Sequence, residues 1–252
     1  MRPRDLAVFA VLLWVAMSKK RGGGASSMQF AQGVERWRQP LIEAGSDAVA
    51  PIGFLLAWLR VESGGNNGAV GTPTAEGGPL DADGFPWEVG IWQLDPGNRK
   101  IAGFTAAELR PNCPVQSGTR AEVEAISRPL TAPEALVQMQ AGFNYIRWCR
   151  HEVDAALDAV HANADPASEW GFGGGMTPSY LRLVKSIHGS PEVVTVGIPA
   201  VTKKLGRAPR SWNELASTLR ADPTLVPDLN KRRRSGELLL DAVLRNAEQT
   251  VL

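Results

Sequence analysis

The chain is poor in the residues that staple or metallate a small protein. Its 252 residues include two cysteines, Cys113 and Cys149. Two are too few for a disulfide framework. They form one bridge in an oxidising compartment or stay buried and reduced, and the sequence leaves both readings open. Three histidines, His151, His161 and His188, stand apart with no His-x-x-x-His or Cys/His spacing. That speaks against a structural or catalytic metal, and no cofactor is expected. An excess of one charge is lacking too. A formal net charge of +1 carries no global signature of nucleic acid, so no specific nucleic-acid partner is expected. There is no apolar run of the ~20 residues that a comfortable membrane span needs, and no internal repeat.

What is present is an ordinary globular balance, 44% hydrophobic against 21% charged, enough for one domain with appendages or two small ones. The first 27 residues are distinct. In "MRPRDLAVFAVLLWVAMSKKRGGGASS" an apolar run from Leu6 to Met17 is flanked by Arg2 and Arg4 before and by Lys19, Lys20 and Arg21 after. The length suits the hydrophobic region of a secretory signal. The cations directly behind it are a poor cleavage context, and a small-x-small site comes only near Gly24 to Ser26. Three readings follow: a short uncleaved anchor in contact with a membrane, a cleaved signal, or an amphiphilic arm buried in a larger assembly. Cations on both sides leave orientation unread.

Beyond the glycine- and serine-rich linker the chain turns helical. Asp47 is expected to cap a helix whose Val49, Ile52, Leu56 and Leu59 recur at spacings of three and four, with Gly64 and Gly65 ending it. Residues 66 to 90, rich in Gly, Pro, Asn and Asp, read as loops or a short β-hairpin. Thr105 with Glu108, Thr131 with Glu134, and Ser211 with Glu214 are capping pairs. The second opens the longest helix, with Met139, Phe143, Ile146, Cys149, Val153 and Leu157 on its apolar face. The segment "WGFGGGMTPSYLRLVKSI" is a glycine-rich turn leading into another helix. After about residue 192 the chain is punctuated by Pro and Gly, and a last helix follows "KRRRSG". The cationic run Lys231 to Arg234 reads as a solvated face, or as a patch attracted to anionic cell wall or lipid headgroups. The expected division is a hydrophobic arm and linker (1–27), a main domain (28–192) and a helical C-terminal extension (193–252).

One stretch points to chemistry. "FLLAWLRVESGGNN", residues 54 to 67, ends an apolar helix in a carboxylate, Glu62. Burial and the negative end of the helix dipole both disfavour the charged form. Both would raise the pKa, as a general acid near neutral pH requires. The glycines behind it let the backbone turn and leave room for a substrate. The plain alternative is a carboxylate fraying into water at a helix end.

Downstream, in order, come Gly90-Ile91-Trp92-Gln93, Gly142-Phe143-Asn144-Tyr145-Ile146 and the "GFGGG" turn at 171 to 175. With Glu62-Ser63 these resemble the soluble lytic transglycosylases and goose-type lysozymes, over about residues 40 to 190. The resemblance implies a mainly α, α+β lysozyme-like fold: a helical bundle with a small β-hairpin or loop lobe. It implies a glycosidase acting on peptidoglycan glycan strands, cutting between N-acetylmuramic acid and N-acetylglucosamine. Glu62 would be the general acid/base. Gln93 and the backbone near Ile91 would hold an N-acetyl group or sugar hydroxyl, Tyr145 would orient Glu62 from the cleft floor, and Ser63 would bond nearby. Trp87 and Trp92 would flank the cleft, where an indole face stacks on a sugar, though both also suit a core. Tyr180 lies behind the glycine turn, on the substrate side. That turn departs from the family, with Gly171 and Phe172 near the places of the usual Tyr-Asn pair.

Mechanism turns on a second carboxylate. Lytic transglycosylases use one Glu and the sugar's own 6-hydroxyl. Goose-type lysozymes activate water with an additional aspartate, which needs carboxyl groups ~6.5–9.5 Å apart. Asp95 in "GIWQLD", and Asp83 or Asp81 in the preceding loop, are the candidates, although "LDADG" and "LDPG" are also turn sequences. The first expectation is a lytic transglycosylase. The alternatives are a hydrolytic muramidase and a lysozyme-like module that binds glycan or builds an assembly without cutting. With the hydrophobic arm, the setting is a cell envelope facing the periplasm, membrane-anchored or exported, or a phage virion, with virion or secretion-apparatus proteins as partners.

Overall fold

The computed structural model describes residues 33–66, 70–73, 87–111, 130–171, 175–233 and 235–251. The arm and linker at 1–27, Asp81, Asp83, Cys113, Phe172 and Arg234 lie outside the described residues, as does the side chain of Trp87.

A 3₁₀ turn at Val34–Trp37 and helix α1 (Arg38–Glu43) precede the helix that carries Glu62. That helix, α2 (Ile52–Glu62), does not start at Asp47. Pro51 is extended, with φ −54° and ψ 136°, and proline disfavours helical backbone in the residue before it. Asp47 therefore sits in a separate 3₁₀ turn, Ser46–Ala48, and caps nothing in α2. From Ile52 onward Phe54, Leu55, Leu56, Trp58 and Leu59 are all buried. Gly64 and Gly65 stop the helix as expected, with φ of 63° and 80°. At Gly65 the glycine is needed twice over. Its φ of 80° is left-handed, and an added Cβ would lie 3.1 Å from both the Val34 backbone and the Trp37 indole nitrogen.

Two short strands, β1 (Val70–Pro73) and β2 (Trp87–Val89), pair antiparallel with an irregular register. A tight turn follows in which Val89 and Leu94 exchange both backbone bonds at 3.1 Å. Asp95 then caps α3 (Pro96–Ala102), and the Thr105–Glu108 capping box opens α4 (Ala106–Leu109). The long helix is α5 (Ala132–Ala159), where Glu134 accepts from the Thr131 N–H at 2.7 Å. Its Met139, Phe143, Ile146, Cys149, Val153 and Leu157 are buried. Helix α6 (Pro178–Gly189) starts at Thr177, whose Oγ1 accepts from Tyr180 N at 3.2 Å.

The Pro- and Gly-punctuated stretch beyond is helical: a π turn, Val193–Gly197, runs into α7 (Ile198–Leu205). Pro199 falls in the first turn, where its missing N–H is harmless. Gly197 admits Leu219 and Val226, whose methyls would lie 3.3 and 3.5 Å from a Cβ. Helix α8 (Trp212–Ala221) is capped by Ser211, and α9 (Leu239–Thr250) packs across α6 and α2. The architecture is mainly α. One contiguous core runs from Val34 to Val251, so residues 193–251 share it with the helices before them. Among the described residues no helix is long and apolar enough to cross a membrane.

Candidate active site

Glu62, in the last turn of α2, has a side chain only 12% exposed, and both its oxygens are engaged. Oε1 accepts from Lys185 Nζ in a short ion pair. Oε2 lies 3.2 Å from His188 Nε2. Lys185 and His188 stand three apart on α6, the spacing that puts two side chains on one helix face. The Lys185 ammonium is fully buried and lies 4.8 Å from the centre of the Trp58 ring. His188 fits between Trp58 and Tyr145, with ring centres 5.4 and 5.7 Å away. His188 Nδ1 and Trp58 Nε1 are buried with no hydrogen-bond partner among the described residues.

This environment reverses one expectation. Burial does push the Glu62 carboxyl up, as its place in an apolar helix suggested, but Lys185 and then His188 outweigh it. Together they hold Glu62 well below its ordinary value of 4.5. In this arrangement Glu62 is a carboxylate at neutral pH. Tyr145, on α5, is buried against His188 and stacked on Trp148. Burial pushes its hydroxyl up, assisted by Cys149 and by the charges of Asp95 and Glu62, so it keeps its proton. Both carboxylates thus lie within electrostatic reach of Tyr145. Cys149 beside it is a buried free thiol, pushed by burial up to about 12 and therefore inert.

The other expected residues divide. Ser63 belongs to the cluster as a latch: its hydroxyl donates to Ile91 O at 2.8 Å and accepts from Gly65 N at 3.1 Å. That joins the end of α2 to the Gly90–Gln93 turn. Ile91 does not offer its amide to a ligand, because its N–H donates to Gln138 Oε1 at 3.0 Å. Trp92 is a core residue, 2% exposed, with Nε1 donating to Gln138 O at 2.9 Å and its ring edge-on to Trp58. A sugar cannot stack on a face that protein already covers, so Trp92 is removed from the cleft. Gln93 is buried with φ 50°, a strained conformation for a side-chain-bearing residue. Its Nε2 donates to Gly90 O at 2.7 Å, within its own turn. Asp95 accepts from Asn98 N at 2.7 Å as the cap of α3. Tyr180 is not brought to Glu62: its hydroxyl donates to Asp154 Oδ1 at 2.8 Å on α5. Trp87 has only its backbone described, and Asp83 lies outside the described residues.

The glycines of the two central motifs interlock. A Cβ on Gly142 would fall 2.2 Å from the Trp92 ring, and one on Gly90 would fall 2.7 Å from Gln138 Oε1. Gly-x-x-Tyr on α5 is therefore the floor on which the Gly-Ile-Trp-Gln turn rests. Sequence reasoning missed Lys185 and His188. A signal was there, since both continue the stripe of Leu181 and Val184 on α6, at four and seven residues after Leu181, where apolar residues are due. Among the described residues no group of His, Cys, Asp or Glu is placed to hold a metal. Compared with known proteins, the chain matches no family model, no curated protein and no solved structure.

Proposed function

We propose that the chain cleaves peptidoglycan glycan strands as a lytic transglycosylase of lysozyme-like type, with Glu62 as its general acid/base. The observation that carries this reading is the convergence on one carboxylate. The end of α2, the Gly90–Gln93 turn latched by Ser63, Tyr145 of α5 and the last turns of α6 meet around Glu62. In the forward step the Glu62 carboxyl gives its proton to the glycosidic oxygen as the bond to the sugar's anomeric carbon breaks. The carboxylate left behind takes the proton of the 6-hydroxyl as that oxygen closes on the same carbon. Tyr145, which keeps its proton, packs against His188 and steadies the α6 side of Glu62. The hydrophobic arm suits a protein that opens the wall locally, for a phage virion or an envelope-spanning machine.

A second reading is favoured by one observation: the ion pair with Lys185 keeps Glu62 ionised, which suits a glycan-binding or structural module that does not cut. Hydrolysis with Asp95 as a second carboxylate is the third outcome, although Asp95 is committed to capping α3. The test is mass spectrometry of purified peptidoglycan incubated with the full chain or with Glu62→Gln. Anhydromuramyl ends, lost in the variant, are expected. Reducing ends carrying an added water would make the protein a muramidase. Intact strands retained by the protein would make it a binding module.

A further inference from the structure

The acid/base reading of Glu62 leaves one cation unexplained. Lys185 is fully buried on α6, and its ammonium has two neighbours of note, Glu62 Oε1 and the face of Trp58. A buried lysine is rarely retained for stability, because desolvating two charges offsets most of their attraction. The other partner of Glu62 is held differently. His188 Nε2 stands 3.2 Å from Oε2, and its Nδ1, which would normally anchor the ring, has no hydrogen-bond partner among the described residues. One oxygen is thus held by a buried cation and the other by a ring packed between Trp58 and Tyr145.

We propose that Lys185 is a positioning residue that fixes the Glu62 carboxylate through Oε1 and sets the pH range over which the site can donate a proton. The proposal rests on Glu62 being the acid/base. Among the described residues, these titratable groups bear on Glu62. Helix α6 supplies Lys185 and His188, and α5 supplies Tyr145, with Cys149 next to it. The turn before α3 supplies Asp95, which acts on Tyr145. From α9, Val243 packs on Gly189, next to His188. Lys185 is a buried cation in contact with the carboxylate, the larger of the two attractions on it, and by Coulomb attraction it resists the protonation that the first step requires. The site therefore protonates a glycosidic oxygen best in acid.

Two readouts on the full chain test this, with Lys185→Gln, which keeps a donor without charge, and Lys185→Arg, which keeps the charge. The first is the titration of the Glu62 carboxyl carbon by ¹³C NMR, assigned by its disappearance in Glu62→Gln. The midpoint is expected to rise by ~1–3 pH units in Lys185→Gln, the effect of removing an adjacent opposite charge, and to stay low in Lys185→Arg. An unmoved midpoint in Lys185→Gln would overturn the proposal whether or not the protein cuts glycan. The second is the pH profile of strand cleavage. Its alkaline limb is expected to move up by the same interval in Lys185→Gln, with KM little changed. A uniform loss of kcat with no movement of the limb would reduce Lys185 to a structural role. If the midpoint moves while unmodified protein leaves peptidoglycan intact, the positioning role stands and the enzyme reading fails. Should Lys185→Gln not fold, Lys185→Met, which replaces the ammonium by an apolar chain, carries the same titration.

Discussion

Glu62 has neighbours that pull its proton in opposite directions, and stability should record which side wins. Burial raises its carboxyl, while Lys185 and His188 lower it below the ordinary 4.5. A carboxyl depressed by folding stabilises the native state above its unfolded pKa, and that contribution is lost as pH falls through the folded value. The window therefore opens near 4.5 and extends downward into acid. Glu62→Gln leaves the Lys185 ammonium buried without a counter-charge, which costs about 3–5 kcal/mol at neutral pH. Urea midpoints of the two proteins are expected to differ most at pH 7 and to converge as pH drops below the ordinary carboxylate range. A gap that stayed constant down to pH 3 would mean that the ion pair does not govern Glu62. The acid itself was legible from sequence, because an apolar helix ending in Glu before two glycines is a local pattern. Its charge state was not, because Lys185 lies 123 residues further along the chain.

At the scale of elements, the site is held by packing between motifs rather than by any one of them. The Gly-Ile-Trp-Gln turn lies on α5, with the Trp92 indole over Gly142 and Gln138 bonded to Ile91 N. Gly142→Ala would drive a methyl into the Trp92 ring and is expected to destabilise by about 1–3 kcal/mol. Adding Trp92→Leu should recover part of that loss, a coupling of ~0.5–3 kcal/mol in a thermal or urea double-mutant cycle. Strict additivity would show that the two do not touch. Capping residues gave away helix starts at Thr105, Thr131 and Ser211, because a cap is written in four adjacent residues. Asp47 misled for the same reason in reverse: Pro51 overrode a good cap that stood too early. The indole of Trp92 and the hydroxyl of Tyr180 could not be assigned from sequence. Whether an aromatic faces core or cleft is decided by partners such as Gln138 and Asp154, on elements distant in the chain.

At the scale of the molecule, the residues after 192 pack against the helices that carry the Glu62 cluster. Helix α9 lies on both α6 and α2, the helices that present Lys185 and Glu62. Val243 packs on Gly189, next to His188, and Arg182 of α6 donates to Val251 O at 3.1 Å. The turn leading into α6 is tied to the same region, since Trp170 Nε1 donates to Pro209 O and Glu169 N to Arg210 O, each at 2.7 Å. Trp212, fully buried, reaches Glu248 at 3.3 Å. A chain ending at 192 would uncover one side of α6 and leave Trp170 without its acceptor. Fluorescence and circular dichroism should therefore report one coincident unfolding transition for the chain from residue 28 to 252. For 28–192 no cooperative near-ultraviolet transition is expected. An independent sharp transition of 28–192 would instead make the C-terminal helices a separable module, and the geometry around Lys185 would then be set by α2, α5 and α6 alone.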